Sequence, residues 1–500
     1  MTLPDDSQTP DSRTPRVPAP RPSSNRPRRG LLIGGATVLL LAGAWAGSTV
    51  YSAGQAEAVS NRLSGTIDAA LKGNNLGKVE RHTFARGLTS STDDIYLVLG
   101  GASAPTNGPP NGPMKLHLRN RIQNGPLPGF SAVGQAIVET EIVWDDAEVQ
   151  AAVDKAFGGK KPNLRTVIGL GGNADSALSV PAGSYESEKG AGDQGKAVWQ
   201  ALSGRFQTSS AGRGVSGTLT WPGGSVSSAQ GATELKDMRY VVDQQPYLTK
   251  LSQGKSSLTV ASVTLPQGVG RMDTLNVTTT TAPSSTNPVG VTMQSRTQAT
   301  VASLSASGQK FSDLKLVLSA SRLSSAALEE LSGLTQTPEY RALTDQTTGT
   351  VDDAALKRLL ADLTPILQKL LAGNPELSID EVSARTPQGR LKLALGAQVV
   401  NGDKIDLKPL LGEDTLKAGA SNPALLGLLG NLRLSADIEG QEAVIAGLLG
   451  ASGNDTAASL AQSIDPMIEQ GMITRTGDTL KTHLEFSQSG ATINGKPFGQ

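Results

Sequence analysis

Runs of alternating apolar and polar residues recur along most of this 500-residue chain, and they restrict its fold more than any other feature. Successive side chains on a strand point to opposite faces, so a period of two marks a sheet with one apolar face. Ile95, Leu97 and Leu99 alternate with Tyr96 and Val98. Leu116 and Leu118 alternate with His117 and Arg119 after a Pro/Gly-rich turn at 105–113. The pattern returns at 136–144, 165–170, 217–221, 238–242, 257–265, 274–280, 291–304 and 315–318, then at 391–399, 432–438 and 480–486. Short polar turns between such runs predict antiparallel hairpins and meanders.

Helical periods interrupt the strands. Residues 53–72 set Ala56, Val59, Leu63, Ile67 and Leu71 on one face, and Gly73 supplies a stop. Residues 324–334 and 351–372 also read as helices. In the second, Leu356, Leu359, Leu360, Leu363, Leu367, Leu370 and Leu371 form an apolar stripe, and Asp352 and Asp353 suit the positive N-terminus. Pro365 is expected to kink or divide it. Residues 423–429 and 443–472 are further helical stretches broken by Gly and Pro. The expected class is α+β: an elongated, curved, mainly antiparallel sheet with packed helices, preceded by one transmembrane helix.

That span is 31–51, LLIGGATVLLLAGAWAGSTVY, without a charge. As a helix it measures about 30 Å, the thickness of the hydrocarbon core. Arg26, Arg28 and Arg29 precede it, and no basic residue follows until Arg62. The positive-inside rule puts the N-terminus in the cytoplasm and everything after Ser52 on the outer side of the membrane. A cleaved signal peptide is the rival reading, with Ala44-Trp45-Ala46 as a small-x-small site. Residues 1–30, rich in Pro and Arg, cannot bury enough surface to fold and form a disordered arm. Residues 52–305 make a β-rich first part of the outer domain, and 306–500 an α+β second part.

Lysine plus arginine equal aspartate plus glutamate, 45 each, which argues against nucleic acid as a partner. The chain has no cysteine, which excludes disulfides, thiolate zinc sites, iron–sulfur clusters and cysteine nucleophiles.

The motifs that suggest chemistry have plainer readings. Gly169-Leu170-Gly171-Gly172-Asn173-Ala174 has the form of a dinucleotide loop, but Pro181 and Gly183 follow too soon for the required helix. Gly254-Lys255-Ser256 lacks the first glycine of a phosphate loop, Thr249 standing there. In Gly214-Val215-Ser216-Gly217 the second glycine comes too early for a nucleophile elbow. Glu80 and Glu485 each lie two residues from a histidine, His82 and His483, on the same predicted strand face; His117 is the third histidine. Asp93–Asp94 and Asp145–Asp146 are strand neighbours on opposite faces and form no acid/base dyad. Asn276 and Asn454 begin glycosylation triplets, which carry little meaning in a bacterial chain. No catalytic, metal or cofactor residues are assigned, and no cofactor is expected.

The order of several weak motifs resembles the YdgA-like family of bacterial inner-membrane proteins, a domain of unknown function. They are the anchor, the helix from Tyr51-x-x-Gly54 to Leu71, and Arg86-Gly87-Leu88-Thr89-Ser90-Ser91 before a strand. Ile122-Gln123-Asn124-Gly125-Pro126-Leu127-Pro128, the block from Leu370 to Gly389 with Asn374-Pro375, and the closing stretch from Gly477 to Phe498 complete the series. Asn124 stands where that family often has histidine. The resemblance implies a location and a shape and no reaction.

The expected function is non-enzymatic: a membrane-anchored envelope protein that binds lipid or another envelope component on the apolar face of its sheet. A homo-oligomeric scaffold is the alternative, and a hydrolase with a spatially assembled site is a third.

Overall fold

The computed structural model describes most of residues 64–498, the principal gaps being 72–76, 100–113, 187–194, 341–352, 408–429 and 446–463. Residues 1–63, and with them the arm, the proposed span and the first half of the helix at 53–72, lie outside the described residues.

The described chain forms one sheet of 22 strands in which every pairing is antiparallel. Its first part comprises β1 (Gly77–Ala85), β2 (Ser90–Leu99), β3 (Met114–Asn124), β4 (Ala136–Trp144), β5 (Asn163–Ile168) and β6 (Ala174–Val180). Then come β7 (Gly183–Glu186), β8 (Lys196–Trp199) and β9 (Leu202–Thr208). Long strands follow: β10 (Val215–Ser228), β11 (Gly231–Pro246), β12 (Ser252–Thr264), β13 (Gly270–Asn287), β14 (Gly290–Ala306) and β15 (Gln309–Ser324). The last part holds β16 (Glu376–Thr386), β17 (Gly389–Val399), β18 (Leu432–Gln441), β19 (Thr474–Thr476), β20 (Thr479–Ser487), β21 (Gly490–Ile493) and β22 (Lys496–Pro497). Neighbours in sequence pair in a meander. The exceptions are β6, which pairs with β9 across the β7–β8 hairpin, β8, which pairs with β10, and β18, which pairs with β20. Position 305/306, taken from sequence as a division, falls at the β14–β15 turn, where Ala306 pairs with Gln309 inside the continuous sheet.

Directly opposed residues of an antiparallel pair share a face, so the register traces one surface across the molecule. From β1 to β6 the ladder reads Phe84, Asp93, Asn120, Thr140, Leu164 and Leu178. It continues through Gly204, Leu219, Tyr240, Leu258, Val277, Ala299 and Leu316. It ends with Val382, Leu393, Ile438 and Thr482 on β20. One largely apolar face therefore runs unbroken from β1 to β20.

The long strands cross a line where their alternation is reset. Asp237, Thr274 and Asp313 have left-handed backbones (φ 49°, 54° and 51°), and the register sets them in one row with Ala261 and Ala302 between them. On either side apolar residues stand three apart instead of two: Leu235 and Met238, Val260 and Val263, Met272 and Leu275, Val301 and Leu304, Phe311 and Leu314. The pairing register runs unbroken through the row, so the strands change phase together there, and the apolar face resumes beyond it. The sequence-derived strands at 217–221, 238–242 and 274–280 stop or start at this row because simple alternation fails there.

Among the described residues, α1 (Ala147–Ala156), α2 (Ser325–Leu334) and α3 (Asp353–Ala372) pack against the sheet. The helical residues Ile67 and Leu71, with Val153 of α1 and Phe157, cover the apolar face of β2–β6 and close the main core. α2 and α3 sit at the end of the sheet where β15 finishes and β16 begins. Ser325 Oγ donates to Val291 O at 2.7 Å, and Lys369 on α3 pairs with Glu330 on α2 at 2.6 Å. Leu367 and Leu371 of α3 pack with Val399, Ile405 and Leu407 in a second, small core. α3 is one helix through Pro365, not two; the Thr364 hydroxyl donates to Leu360 O inside the turn that the proline interrupts. Of the expected helix at 443–472, helical residues appear at 442–445 and 464–469, and 423–429 lies outside the described residues.

Candidate functional site

At the C-terminal end the described residues leave part of the apolar face uncovered. Two neighbouring cross-strand ladders form it. One runs Leu377, Ala397, Leu434, Phe486, Ala491 across β16, β17, β18, β20 and β21. The other runs Ile379, Leu395, Ala436, Leu484, Ile493 across the same strands. Ala397 and Ala436 lie between larger side chains, and the missing volume leaves a groove of about 740 Å³, with Phe498 at its border. Leu377 is 59% and Phe486 45% exposed, and Leu395, Leu434 and Leu484 are each exposed by more than a third. Among the described residues, none from α2 or α3 lines it.

The opposite face of these strands is polar and supports the groove from beneath. A bulge between Ile379 and Val382 turns the two adjacent acids Asp380 and Glu381 to that side. Asp380 accepts from Ser378 at 2.5 Å, from Ser319 at 2.6 Å and from Arg296. Burial raises its pKa, but the Ser319 and Ser378 hydroxyls and the Arg296 charge outweigh it and hold the carboxyl below its ordinary value. Glu381 pairs with Lys315 at 2.8 Å and Arg390 at 3.2 Å and accepts from Ser383 at 2.8 Å. The Lys315 hydrogen bond is the main cause of its lowered pKa, against the opposing effect of burial.

His82 and His117 flank β2 on its opposite faces, His483 lies far off on β20, and each finds its own aspartate. On the covered face His82 Nε2 meets Asp93 Oδ1 at 2.8 Å, Asn120 donates to Asp93 Oδ2 at 2.9 Å, and Thr140 donates to Asn120 Oδ1 at 2.6 Å. Asp93 is fully buried, and this chain of hydrogen bonds occupies both its oxygens. On the other face of the same strand Asp94 takes His117 and Arg119, and the His117 ring stacks on Tyr96 at 4.2 Å. His483 bonds Asp437 at 2.7 Å near the surface, while Glu485 pairs with Arg433. Asp93 and Asp94 thus point apart, as the alternation required. The expected Glu80–His82 pair is corrected: the register slips between Val79 and Arg81, and Glu80 turns away to Lys115.

The remaining motifs resolve into backbone. Gly169–Asn173 is the β5–β6 hairpin turn, closed by Gly172 N–H to Gly169 O at 2.9 Å. Gly254-Lys255-Ser256 lies inside β12, and Gly214 leads into β10. Asn276 is inside β13, while Asp145, Asp146, Asp352 and Asn454 lie outside the described residues. Among the described residues no cluster of three or more His, Asp or Glu is placed to hold a metal ion. No helix of the described residues is long and apolar enough to cross a membrane.

The groove itself is absent from any single motif. Its signal was spread over β16–β21 as small residues at positions where the alternation called for large ones. Sequence comparison matches residues 30–499 to the family described as bacterial protein of unknown function (DUF945). No curated protein and no solved structure matches the chain.

Proposed function

The chain belongs to the DUF945 family of bacterial proteins, and from that premise we propose a non-enzymatic, membrane-anchored protein of the cell envelope, of the YdgA-like kind, whose groove holds the acyl chain of a lipid. The span at 31–51 would tether it to the inner membrane, with the N-terminus in the cytoplasm and the sheet outside. One observation supports the reading: among the described residues, a groove with two all-apolar ladders as its floor stands open on a face that helical residues cover elsewhere. Burying one such side chain completely is worth about 1.5–3 kcal/mol, so an occupant gains from each exposed Leu and Phe. The two ladders offer no side-chain donor or acceptor, which suits an unbranched hydrocarbon better than a sugar polymer or a peptide. The edges of the sheet do not favour pairing between copies: β1 carries exposed Lys78, Glu80 and Arg81, and β22 is two residues long with Pro497.

The test is native mass spectrometry of the full chain released from membranes in mild detergent. An anchored protein carries annular lipid, so the diagnostic is what changes in Ala436→Trp, which fills the groove floor. Loss of a defined lipid in A436W, with retention in Lys392→Ala on the polar face, is the expected result. Identical lipid in both variants would end the acyl-chain reading, and a lipid-free dimer would replace it with the scaffold.

A further inference from the structure

A second apolar surface lies far from the groove, on the loop that joins β3 to β4. Leu127, Phe130 and Val133 stand on this loop, and Leu170 stands on the neighbouring β5–β6 turn. All four are exposed, Phe130 by 94%. The loop is built, not loose. Gly125 N–H donates to Gln135 O at 3.0 Å, Gly134 N–H to Pro126 O at 3.1 Å, and Gln135 N–H to Ile168 O at 2.7 Å. The Gln135 side chain donates to Leu170 O at 2.9 Å and ties the two turns together. Pro128 is buried beneath, and a Cβ on Gly134 would come within 2.3 Å of Ile168 O. Phe130 itself is left-handed, with φ 56°, a conformation that costs a bulky residue energy. Hydrogen bonds, close packing and backbone strain together hold a phenyl ring out in solvent.

We infer that this tip inserts into the interface of the same bilayer that holds the anchor. The inference rests on the reading of residues 31–51 as a membrane span. Twelve residues, 52–63, separate that span from Ser64, and they reach at most about 40 Å when fully extended. Ile67 and Leu71, which follow, pack in the same core as β3, β4 and β5, the strands that carry the tip. The tip is therefore on the tethered part of the sheet. Its four large exposed side chains are apolar, the Ser131 hydroxyl donates back to Pro128 O, and a convex loop of Phe, Leu and Val suits the headgroup–acyl boundary roughly 5–10 Å deep. Arg165, whose Nη2 lies 3.4 Å from Ser131 Oγ, stands at its collar, where a cation favours anionic headgroups; Glu139 lies 4.0 Å from its Nε.

Because the chain has no cysteine, single labels are unambiguous. Val133→Cys, Lys160→Cys and Ser48→Cys, each carrying an environment-sensitive fluorophore, are made in the full chain. They are reconstituted into phosphatidylcholine–phosphatidylglycerol vesicles with or without brominated acyl chains. The expected result is blue-shifted emission, quenched by bromine, at positions 133 and 48 but not at 160, which lies at the other end of the strands. Adding Leu127→Asp and Phe130→Asp should abolish quenching at 133 and leave 48 unchanged. Quenching at 48 without quenching at 133 would overturn the tip and leave the anchor standing. Quenching at neither would overturn both. Blue-shifted emission at 133 that bromine does not quench would mean a protein contact, and would also overturn the inference.

Discussion

Between β2 and β6 the apolar face of the sheet is covered by Ile67, Leu71, Val153 and Phe157, and its ladder residues are buried. Between β16 and β21 the same face presents equally apolar ladders to solvent. Strand chemistry does not separate the two regions, since Leu, Ile and Ala alternate in both. What differs is where the helices go. In the first region helical segments cross the face. In the second, among the described residues, α2 and α3 sit at the end of the sheet around Val399, Ile405 and Leu407, and helical residues 442–445 reach only the Leu391–Gly440 end of the face. Among the described residues this exposed apolar patch stands out, and the proposed acyl-chain site rests on it. The polar groups agree: the covered region encloses a hydrogen-bonded string of His82, Asp93, Asn120 and Thr140, while the bare region keeps its charges on the opposite side.

The sharpest way to break this comparison is Asp93→Ala. Removing the buried carboxylate leaves His82 and Asn120 without their partner, and the expected loss is about 3–5 kcal/mol in urea unfolding of the full chain. A loss below about 1 kcal/mol would show that the string is not part of the core. Leu164→Ala comes next, at about 2–5 kcal/mol, because Leu164 is enclosed on all sides. Leu434→Ala, on the bare ladder, should cost about 1 kcal/mol or less, since much of its side chain already meets water. Equal losses at 164 and 434 would mean that the groove is closed in solution.

The same contrast explains which parts of the fold were legible in sequence. Strands with plain alternation, such as β4, were read to the residue, and α2 and α3 announced themselves by their leucine periods. β6 and β9 were missed because inward positions hold Ala174, Ser176 and Gly204 beside Leu178 and Phe206, too small and polar to mark a face. The long strands were cut short at the row of Asp237, Thr274 and Asp313, where a left-handed residue resets the phase. Asp93–Asp94 pointing apart was legible from a period of two. Glu80 turning from His82 was not, because a one-residue bulge leaves no mark in composition. The groove depends on which strands become neighbours, and the Phe130 tip depends on loop geometry. Neither is written locally.

Under the groove, Glu381 supplies a pH-dependent test. Its carboxyl is held below the ordinary glutamate range chiefly by Lys315. A depressed folded-state pKa stabilises the fold above the unfolded value, and that contribution is lost as pH falls through the folded one. Glu381→Gln should therefore cost about 1 kcal/mol at neutral pH, the partners Lys315 and Arg390 being partly exposed. Urea midpoints of variant and wild type should converge in acid, below the depressed value. A constant gap at every pH would assign the effect to packing, not charge.

The smallest effect is the most informative about the comparison, because it uses a matched pair. His483–Asp437 is a His–Asp contact of nearly the length of His82–Asp93, 2.7 Å against 2.8 Å, made through Nδ1 instead of Nε2 and lying on the polar side of the bare region. Asp437 is 62% exposed, whereas Asp93 is wholly enclosed. Water replaces a lost partner at the first site and cannot reach the second, so Asp437→Ala should change stability by about 0.5 kcal/mol or less. If Asp437→Ala instead approached the loss from Asp93→Ala, water would be excluded from the polar side of β18 and β20 as well. The polar side of the C-terminal strands would then be covered, and the contrast between the enclosed and the exposed His–Asp contact would be lost.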